Sequence, residues 1–447
     1  MNALDTSFDR RDWLRQVALV AAVLTVTTAI LPSWTGVAGL AVSLMVLLAV
    51  LRKRMSTVDA LVGVFLVLTA LASSRLGYHQ DAKSLRLPLL LFLGYHGLRR
   101  FGTWPRNLRL AHVRWALLVF LGVALPTFVN QGLQISDPAI VLLPSAWFIY
   151  GTLAFHASPA ELQRRWDLFA VLLPAAFVSF FAFQALRGGD AFLVGRFRGW
   201  LGNPNELSHW WLAGFAALMV GIGGAKNRLA YFLIASATVL LYIRSGSRAP
   251  LGLAAVVAFG ALMMSGHVSR GLQYLGGLVA VAMALALPFL SLGALEGILP
   301  SSVLRTESLT EGGGRFVAWV FGWEELMRRP WLGGGAGFEE TYYESHAYVL
   351  SLLGHQGLSH NSYLAFALNF GIPIAVLLLA GLMRRLGLVN RRMFFVALLP
   401  FFVATSVEGV LTSPLNAVTP MWFFAAAWMG QKRMASSHDP APGVGGG

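Results

Sequence analysis

Residues 166–186 read WDLFAVLLPAAFVSFFAFQAL, bounded by Arg164 and Arg165 on one side and Arg187 on the other. At about 1.5 Å rise per residue such a stretch makes a helix of roughly 30 Å, the thickness of a bilayer's hydrocarbon core. Comparable apolar stretches recur near 14–31, 34–51, 57–73, 85–98, 112–129, 137–155, 206–224, 229–243, 249–265, 271–290, 362–383, 393–412 and 417–430. Of these, 85–98 and 417–430 are short enough to be re-entrant or interfacial, and either outcome leaves both termini on one side. The expected fold is an all-α integral membrane protein, a polytopic helical bundle of about 12 to 14 transmembrane helices with a long outer loop containing amphipathic helices.

Composition agrees. The 447 residues are 56% hydrophobic and 12% charged, half the charge a soluble chain uses to cover a water-facing surface. Two or three soluble domains, disorder and a coiled coil are excluded. Gly 47 and Trp 14 suit packed membrane helices and interfacial belts. The absence of cysteine removes disulfides, thiol catalysis and cysteine metal sites together.

The net charge of +14 raises the question of a nucleic-acid partner, and topology answers it. With the N-terminus inside, the inner loops hold 22 of the 34 basic residues, a positive-inside bias that accounts for the charge without nucleic acid. The remaining twelve are Arg75, Lys83, Arg86, Arg187, Arg196, Arg198, Arg244, Arg248, Arg305, Arg315, Arg328 and Arg329, which fall outside against the rule. The first span is too long and its flank too polar for a cleaved signal peptide. Four regions are expected: N-terminal transmembrane helices over 1–290, a loop domain over 291–361, C-terminal transmembrane helices over 362–433 and a flexible tail over 434–447.

The loop 291–361 is far longer than the other connections, and long loops are usually functional. Within it RFVAWVFGWEELMRR (315–329) places Phe316, Trp319, Val320, Trp323 and Met327 on one helical face, with Glu324/Arg328 and Glu325/Arg329 four apart. This predicts an amphipathic helix at the outer interface, as a lid or as a substrate contact. The following WLGGGAGFEE (331–340) lacks the lysine and preceding strand of a phosphate cradle and reads as a tight turn.

Three basic groups share the outer side. Arg196 and Arg198 precede a turn of Gly202, Asn203, Pro204 and Asn205 that leads into a helix, where amides and guanidinium groups together suit a phosphate. Arg244 and Arg248 flank a Ser-Gly-Ser break, and Arg315 follows three glycines. Arginines near helix ends commonly reach lipid headgroups instead, an account less adequate for two sites bracketing adjacent helices. His346, His355 and His360 lie ahead of the span at 362–383, His360 at the point of re-entry. An imidazole, with an ordinary pKa near 6.5, is the natural general base at neutral pH. The histidine spacing puts no three on one helical face, and no acidic pair accompanies them, so no metal is expected.

The stretches GRFRGWLGNPN (195–205), SGSRAPLGL (245–253), GGRFVAWVFGWEELMRRPWLGGGAGF (313–338) and HNSYLAFALNFGIPIAVLLL (360–379), in this order, resemble the O-antigen ligase and polymerase superfamily of lipid-linked glycan transferases. The resemblance covers about 190 to 385, while the first third is similar only in hydropathy. It implies a multi-pass protein of the bacterial inner membrane, with both termini cytoplasmic and the site facing the periplasm. Its donor would be an undecaprenyl-diphosphate-linked glycan and its acceptor lipid A-core, with no cofactor. Carried over by motif, His360 would be the catalytic base, and Arg196 and Arg248 would bind diphosphate. Arg198 and Arg315 are further diphosphate candidates, and Asn361 and Glu408 supporting ones. Glu408 either orients an imidazole, binds sugar or is a hydrogen-bonded structural carboxylate among Thr405, Ser406 and Thr412.

Arginines can stabilise the departing diphosphate without a metal while His360 takes the proton of the attacking hydroxyl, and a single displacement inverts the anomeric centre. The leading expectation is an O-antigen ligase. An O-antigen polymerase extending lipid-linked repeat units is the near alternative, and a polysaccharide transporter a more distant one, because ionisable groups gather at outer helix ends rather than at the midplane.

Overall fold

The computed structural model describes residues 10–31, 37–132, 138–155, 158–221, 228–247, 250, 253–254, 257, 271, 315–353, 355, 357–385, 411 and 413–436. Arg248, Glu408 and residues 291–314 lie outside them, as do the expected spans 249–265, 271–290 and 393–412 apart from single positions.

The described chain is helical almost throughout. Nine helices come first: α1 (Arg10–Thr25), α2 (Val37–Arg52), α3 (Thr57–Ala72), α4 (His79–Gly102), α5 (Arg106–Gln131), α6 (Pro138–Ala154), α7 (Pro159–Arg187), α8 (Pro204–Gly221) and α9 (Arg228–Ser245). Then follow α10 (Arg315–Arg328), α11 (Phe338–Ser345), α12 (Ala347–Leu352), α13 (Ser362–Phe370), α14 (Ile372–Arg385) and α15 (Val418–Ser436). Among the described residues three stretches are long and apolar enough to cross a membrane, Arg11–Ile30, Arg106–Gln131 and Asp167–Ala191, and five shorter apolar helices accompany them. Exposed apolar side chains cover α2, α4 and α5, among them Met45, Leu91, Phe92, Leu117, Leu121 and Phe128. Such a surface suits lipid, where helices satisfy their own backbone groups.

One feature departs from an all-α fold. Phe192–Leu193 (β1) and Arg196–Phe197 (β2) form an antiparallel hairpin. Its two turn residues, Val194 and Gly195, have φ of 50° and 72°, the paired positive values of a primed hairpin turn.

α3 lies at the centre, buried on every side, with α2, α4 and α7 against it. Helices approach closely where side chains are small: a Cβ on Gly63 would stand 2.7 Å from Leu168, and one on Gly214 2.6 Å from Leu173. α7 begins with Ser158 and Glu161 exchanging bonds with each other's backbone and Pro159 in the first turn, a complete capping box. At that end of the bundle Arg165 is buried against Asp59 at 3.4 Å and donates to the carbonyls of Leu153 at 2.6 Å and Ala154 at 3.0 Å. Breaking such a desolvated pair by truncating one partner typically costs about 3–5 kcal/mol.

At the opposite end α1 widens into a π-helix over Val26–Ile30. There the hydroxyls of Thr27 and Thr28 bond back to Val23 and Leu24, Tyr78 donates to the Thr27 carbonyl, and Arg187 donates to that of Ala29 at 2.8 Å. The widened turn thus anchors the last turn of α7.

The stretch expected as one span over 362–383 is two helices. Gly371, at φ 80°, separates α13 from α14, and a Cβ there would lie 2.2 Å from the Trp331 carbonyl oxygen. The break is filled from the loop: Gly334 and Gly335 amides donate to the carbonyls of Leu368 and Asn369 at 2.8 and 2.7 Å, and Ile372 donates to Pro330 at 2.8 Å. The glycine-rich segment is therefore a turn, and two of its amides cap the end of α13.

α10 forms where the helical pattern placed it, with a different face buried. Ala318, Gly322, Glu325 and Leu326 pack inward, while Val320, Trp323 and Met327 are exposed. An apolar stripe exposed in this way suits a membrane interface. Glu325 pairs with Arg329 at 3.2 Å as expected, and also with Arg328 at 3.2 Å in place of the expected Glu324 pair.

Candidate functional site

His360 is one of two non-glycine residues with positive φ among the described residues, at 50°. Histidine visits this left-handed region more readily than most residues, and here its neighbours fix it. On the C-terminal side Asn361 caps α13, its side-chain oxygen accepting from the amides of Tyr363 at 3.0 Å and Leu364 at 3.1 Å. Ser362 accepts the Leu411 amide at 3.1 Å. On the other side the Ser359 carbonyl accepts the Trp319 indole N–H at 2.8 Å, tying the segment to α10. Asn361, a supporting candidate by motif, thus has a local task that explains an asparagine there.

Beneath this segment lies a carboxylate that sequence reasoning did not single out. Glu339, in the first turn of α11, is buried, and its Oε1 accepts both the Ser359 amide, at 3.2 Å, and the Ser359 hydroxyl. Its own amide donates to the Asn369 side chain at 2.8 Å. Burial pushes the Glu339 carboxyl above its ordinary range, and the Ser359 bonds and the His360 charge draw it back in part.

His355 is also buried. Its Nε2 lies 2.9 Å from the Leu358 carbonyl and 3.2 Å from that of Gly357, so this nitrogen carries the proton. The His355 and His360 rings are 6.0 Å apart, edge to face. Burial lowers the His355 pKa, and the His360 and Arg315 charges lower it further. Arg315 at the start of α10 is thus an electrostatic neighbour of His355. His346 is elsewhere, packed on Phe321 and Tyr342. Among the described residues no three His, Cys, Asp or Glu side chains are grouped to hold a metal ion.

The structure joins two basic stretches that are some fifty residues apart. Arg196, on β2, donates from Nε to the Ser245 carbonyl at 2.7 Å and from Nη2 to Asn205 Oδ1 at 2.7 Å and Ser247 Oγ at 3.1 Å. One guanidinium fork thereby fixes the hairpin, the start of α8 and the Ser-Gly-Ser break after α9, with Ser247 immediately preceding Arg248. Gly246, at φ 60°, leaves room for it. Arg244 lies over the rings of Phe181, Phe192 and Phe197, 5.3 to 5.7 Å from their centroids, a cation–π seat for the hairpin.

Arg198 parts from Arg196. It donates to the Asp190 carbonyl from Nε at 3.1 Å and Nη2 at 2.9 Å, and to Gly202 at 3.3 Å. It lines a cavity of about 250 Å³ with Arg75, Arg187 and Asp190. A second cavity of about 490 Å³ is lined by His79, Lys83, Arg86 and residues 413–416. Arg86 donates to the Leu415 carbonyl, and through Leu411 the same segment reaches Ser362. Of these residues the sequence had marked Arg75, Lys83, Arg86 and Arg187 only as exceptions to the charge rule.

The apolar helices mark a membrane protein, and ahead of its broken helix His355 and His360 stand together with the charge of Arg315 acting on His355. Residues 208–380 match the family model described as O-Antigen ligase (Wzy_C), and the match supports the O-antigen ligase and polymerase superfamily as the family of this chain. It takes in Arg248, Arg315, Glu339 and His360 and begins after Arg196. No curated protein matches the chain.

Proposed function

We propose that this protein is an O-antigen ligase: a metal-independent, inverting glycosyltransferase moving a glycan from undecaprenyl diphosphate to a sugar hydroxyl of lipid A-core at the periplasmic face of the inner membrane. The observation that carries this reading is the setting of His360. It stands at the entry to a broken helix, within the segment that matches the family, edge to face with His355 and one residue after a serine held by Glu339. A ring nitrogen of His360 takes the acceptor's hydroxyl proton as the oxygen bonds to the anomeric carbon. The bond from that carbon to the diphosphate oxygen breaks, and its electron pair leaves with the diphosphate. In this reading the guanidinium groups of Arg196, Arg248 and Arg315 stabilise that developing charge.

The test is purified full-length protein with lipid-linked glycan and lipid A-core. A ligase moves one preformed glycan to each acceptor and releases undecaprenyl diphosphate. Lengthening of the lipid-linked glycan without acceptor identifies a polymerase, and movement of donor across a vesicle without bond formation identifies a transporter.

A further inference from the structure

The cavity between the Ser74–Tyr78 turn, the end of α7 and the turn at 198–201 is independent of the His360 segment in the residues that build it. Arg75, Arg187 and Arg198 line it with a single acid, Asp190, leaving two positive charges in excess. Its arginines are unequally committed. Arg187 is held by the π-turn of α1 through the Ala29 carbonyl. Arg198 uses three N–H bonds, all to backbone carbonyls that leave its charge unneutralised. Arg75 is exposed and forms no hydrogen bond or ion pair among the described residues. The walls are set by close backbone packing: a Cβ on Gly202 would lie 2.0 Å from the Ser73 carbonyl oxygen, and one on Gly199 2.4 Å from Phe180. Burial and the Arg75 charge both lower the pKa of Arg198, and the Asp190 charge offsets them only in part.

The position and the charge select the occupant. Arg187 lies in the last turn of a helix whose apolar stretch runs Asp167–Ala191, so the cavity opens where a membrane span ends and lipid headgroups lie. Its volume is below the roughly 300–1,000 Å³ of pockets that enclose drug-sized ligands, which fits a headgroup rather than a glycan. We propose that Arg75, Arg187 and Arg198 form a binding site for the phosphomonoester of a membrane lipid, a dianion matching the excess of two charges. A phosphodiester, with one charge, matches less well. This site is additional to the diphosphate site proposed around Arg196 and Arg248 and does not depend on the transferase reading.

The experiment is calorimetric titration of detergent-solubilised full-length protein with dihexanoyl phosphatidic acid, dihexanoyl phosphatidylglycerol and inorganic phosphate. The phosphatidic acid should bind at least tenfold more tightly than the other two, and more tightly as pH rises through about 6, where a phosphomonoester gains its second charge. Arg75→Ala should weaken it at least tenfold; Arg75 has no structural bond to lose. Asp190→Asn should tighten it, since only the Asp190 backbone carbonyl holds Arg198. Equal affinity for monoester and diester, or wild-type affinity in both variants, overturns the proposal. Inorganic phosphate binding as tightly as the lipid overturns the lipid assignment and leaves a site for the free ion.

Discussion

Ser359 and Glu339 are joined twice, through the serine amide and the serine hydroxyl, at one carboxylate oxygen. A buried acid on α11 thus fixes the backbone one residue before His360. Because burial raises the Glu339 pKa, the folded protein holds this proton more tightly than the unfolded chain. Its contribution to stability is complete below the ordinary glutamate value of about 4.3 and is lost as pH rises through the raised folded value. Glu339→Gln keeps an acceptor for Ser359 and removes the titration. The difference in melting temperature between wild type and variant should therefore shift in the variant's favour as pH rises from 4 to 7. A constant difference across that range would mean that Glu339 titrates at its ordinary value.

His360→Ala should retain lipid-linked glycan binding and the melting temperature while losing transfer by about 10²–10⁴-fold, the usual contribution of a general base. His346→Ala is the suitable control. His355 is not, because its ring bonds the carbonyls that shape the turn, and its truncation should lower stability. Normal turnover in folded His360→Ala would rule out the base role and bring Glu408 forward.

Arg196→Ala removes three bonds at once, from Ser245, Asn205 and Ser247. Hydrogen bonds to a charged group contribute about 1.5–3 kcal/mol each and do not add fully. A loss of about 3 kcal/mol in unfolding free energy is expected together with loss of transfer, and Arg196→Lys should restore little because it lacks the fork. Wild-type stability in Arg196→Ala, measured by denaturant titration, would show that the tether is dispensable.

The chain has no cysteine, so one introduced thiol reports its side of the membrane. Val194, at the hairpin tip, is 77% exposed. Val194→Cys should react with a membrane-impermeant maleimide added from the periplasmic side. Labelling only after the inner membrane is breached would invert the proposed orientation.

Transfer should proceed in excess EDTA at the untreated rate, since guanidinium groups rather than a cation would meet the diphosphate. Loss on chelation with recovery on adding Mg²⁺ or Mn²⁺ would require another mechanism.

The sequence makes some of this legible and hides the rest for physical reasons. Apolar runs locate helices, and the three consecutive glycines at 333–335 announce a turn. Nothing local shows that α10 turns Trp323 outward, because an apolar stripe looks the same whether it faces a core or lipid. The hairpin at 192–197 has strands of two residues, too short for alternation to register. Gly371 and Pro373 sit in an otherwise apolar run that is long enough for one span, so hydropathy hides the break that the positive φ of Gly371 shows. The Arg196 fork joins residues forty-nine positions apart, and Glu339 is one of two adjacent glutamates whose unequal burial depends on tertiary packing.

The break at Gly371 has a consequence for biosynthesis. Gly334 and Gly335 leave the ribosome before Leu368 and Asn369, the residues whose carbonyls they cap. Until α13 has followed, those amides have no native partner, and α13 ends in carbonyls that lipid will not solvate. Membrane insertion of the 362–385 segment and closure of the preceding loop are therefore one event rather than two. A chain arrested between Gly335 and Asn369 should be open to proteases, with resistance gained in a single step once the second helix is complete.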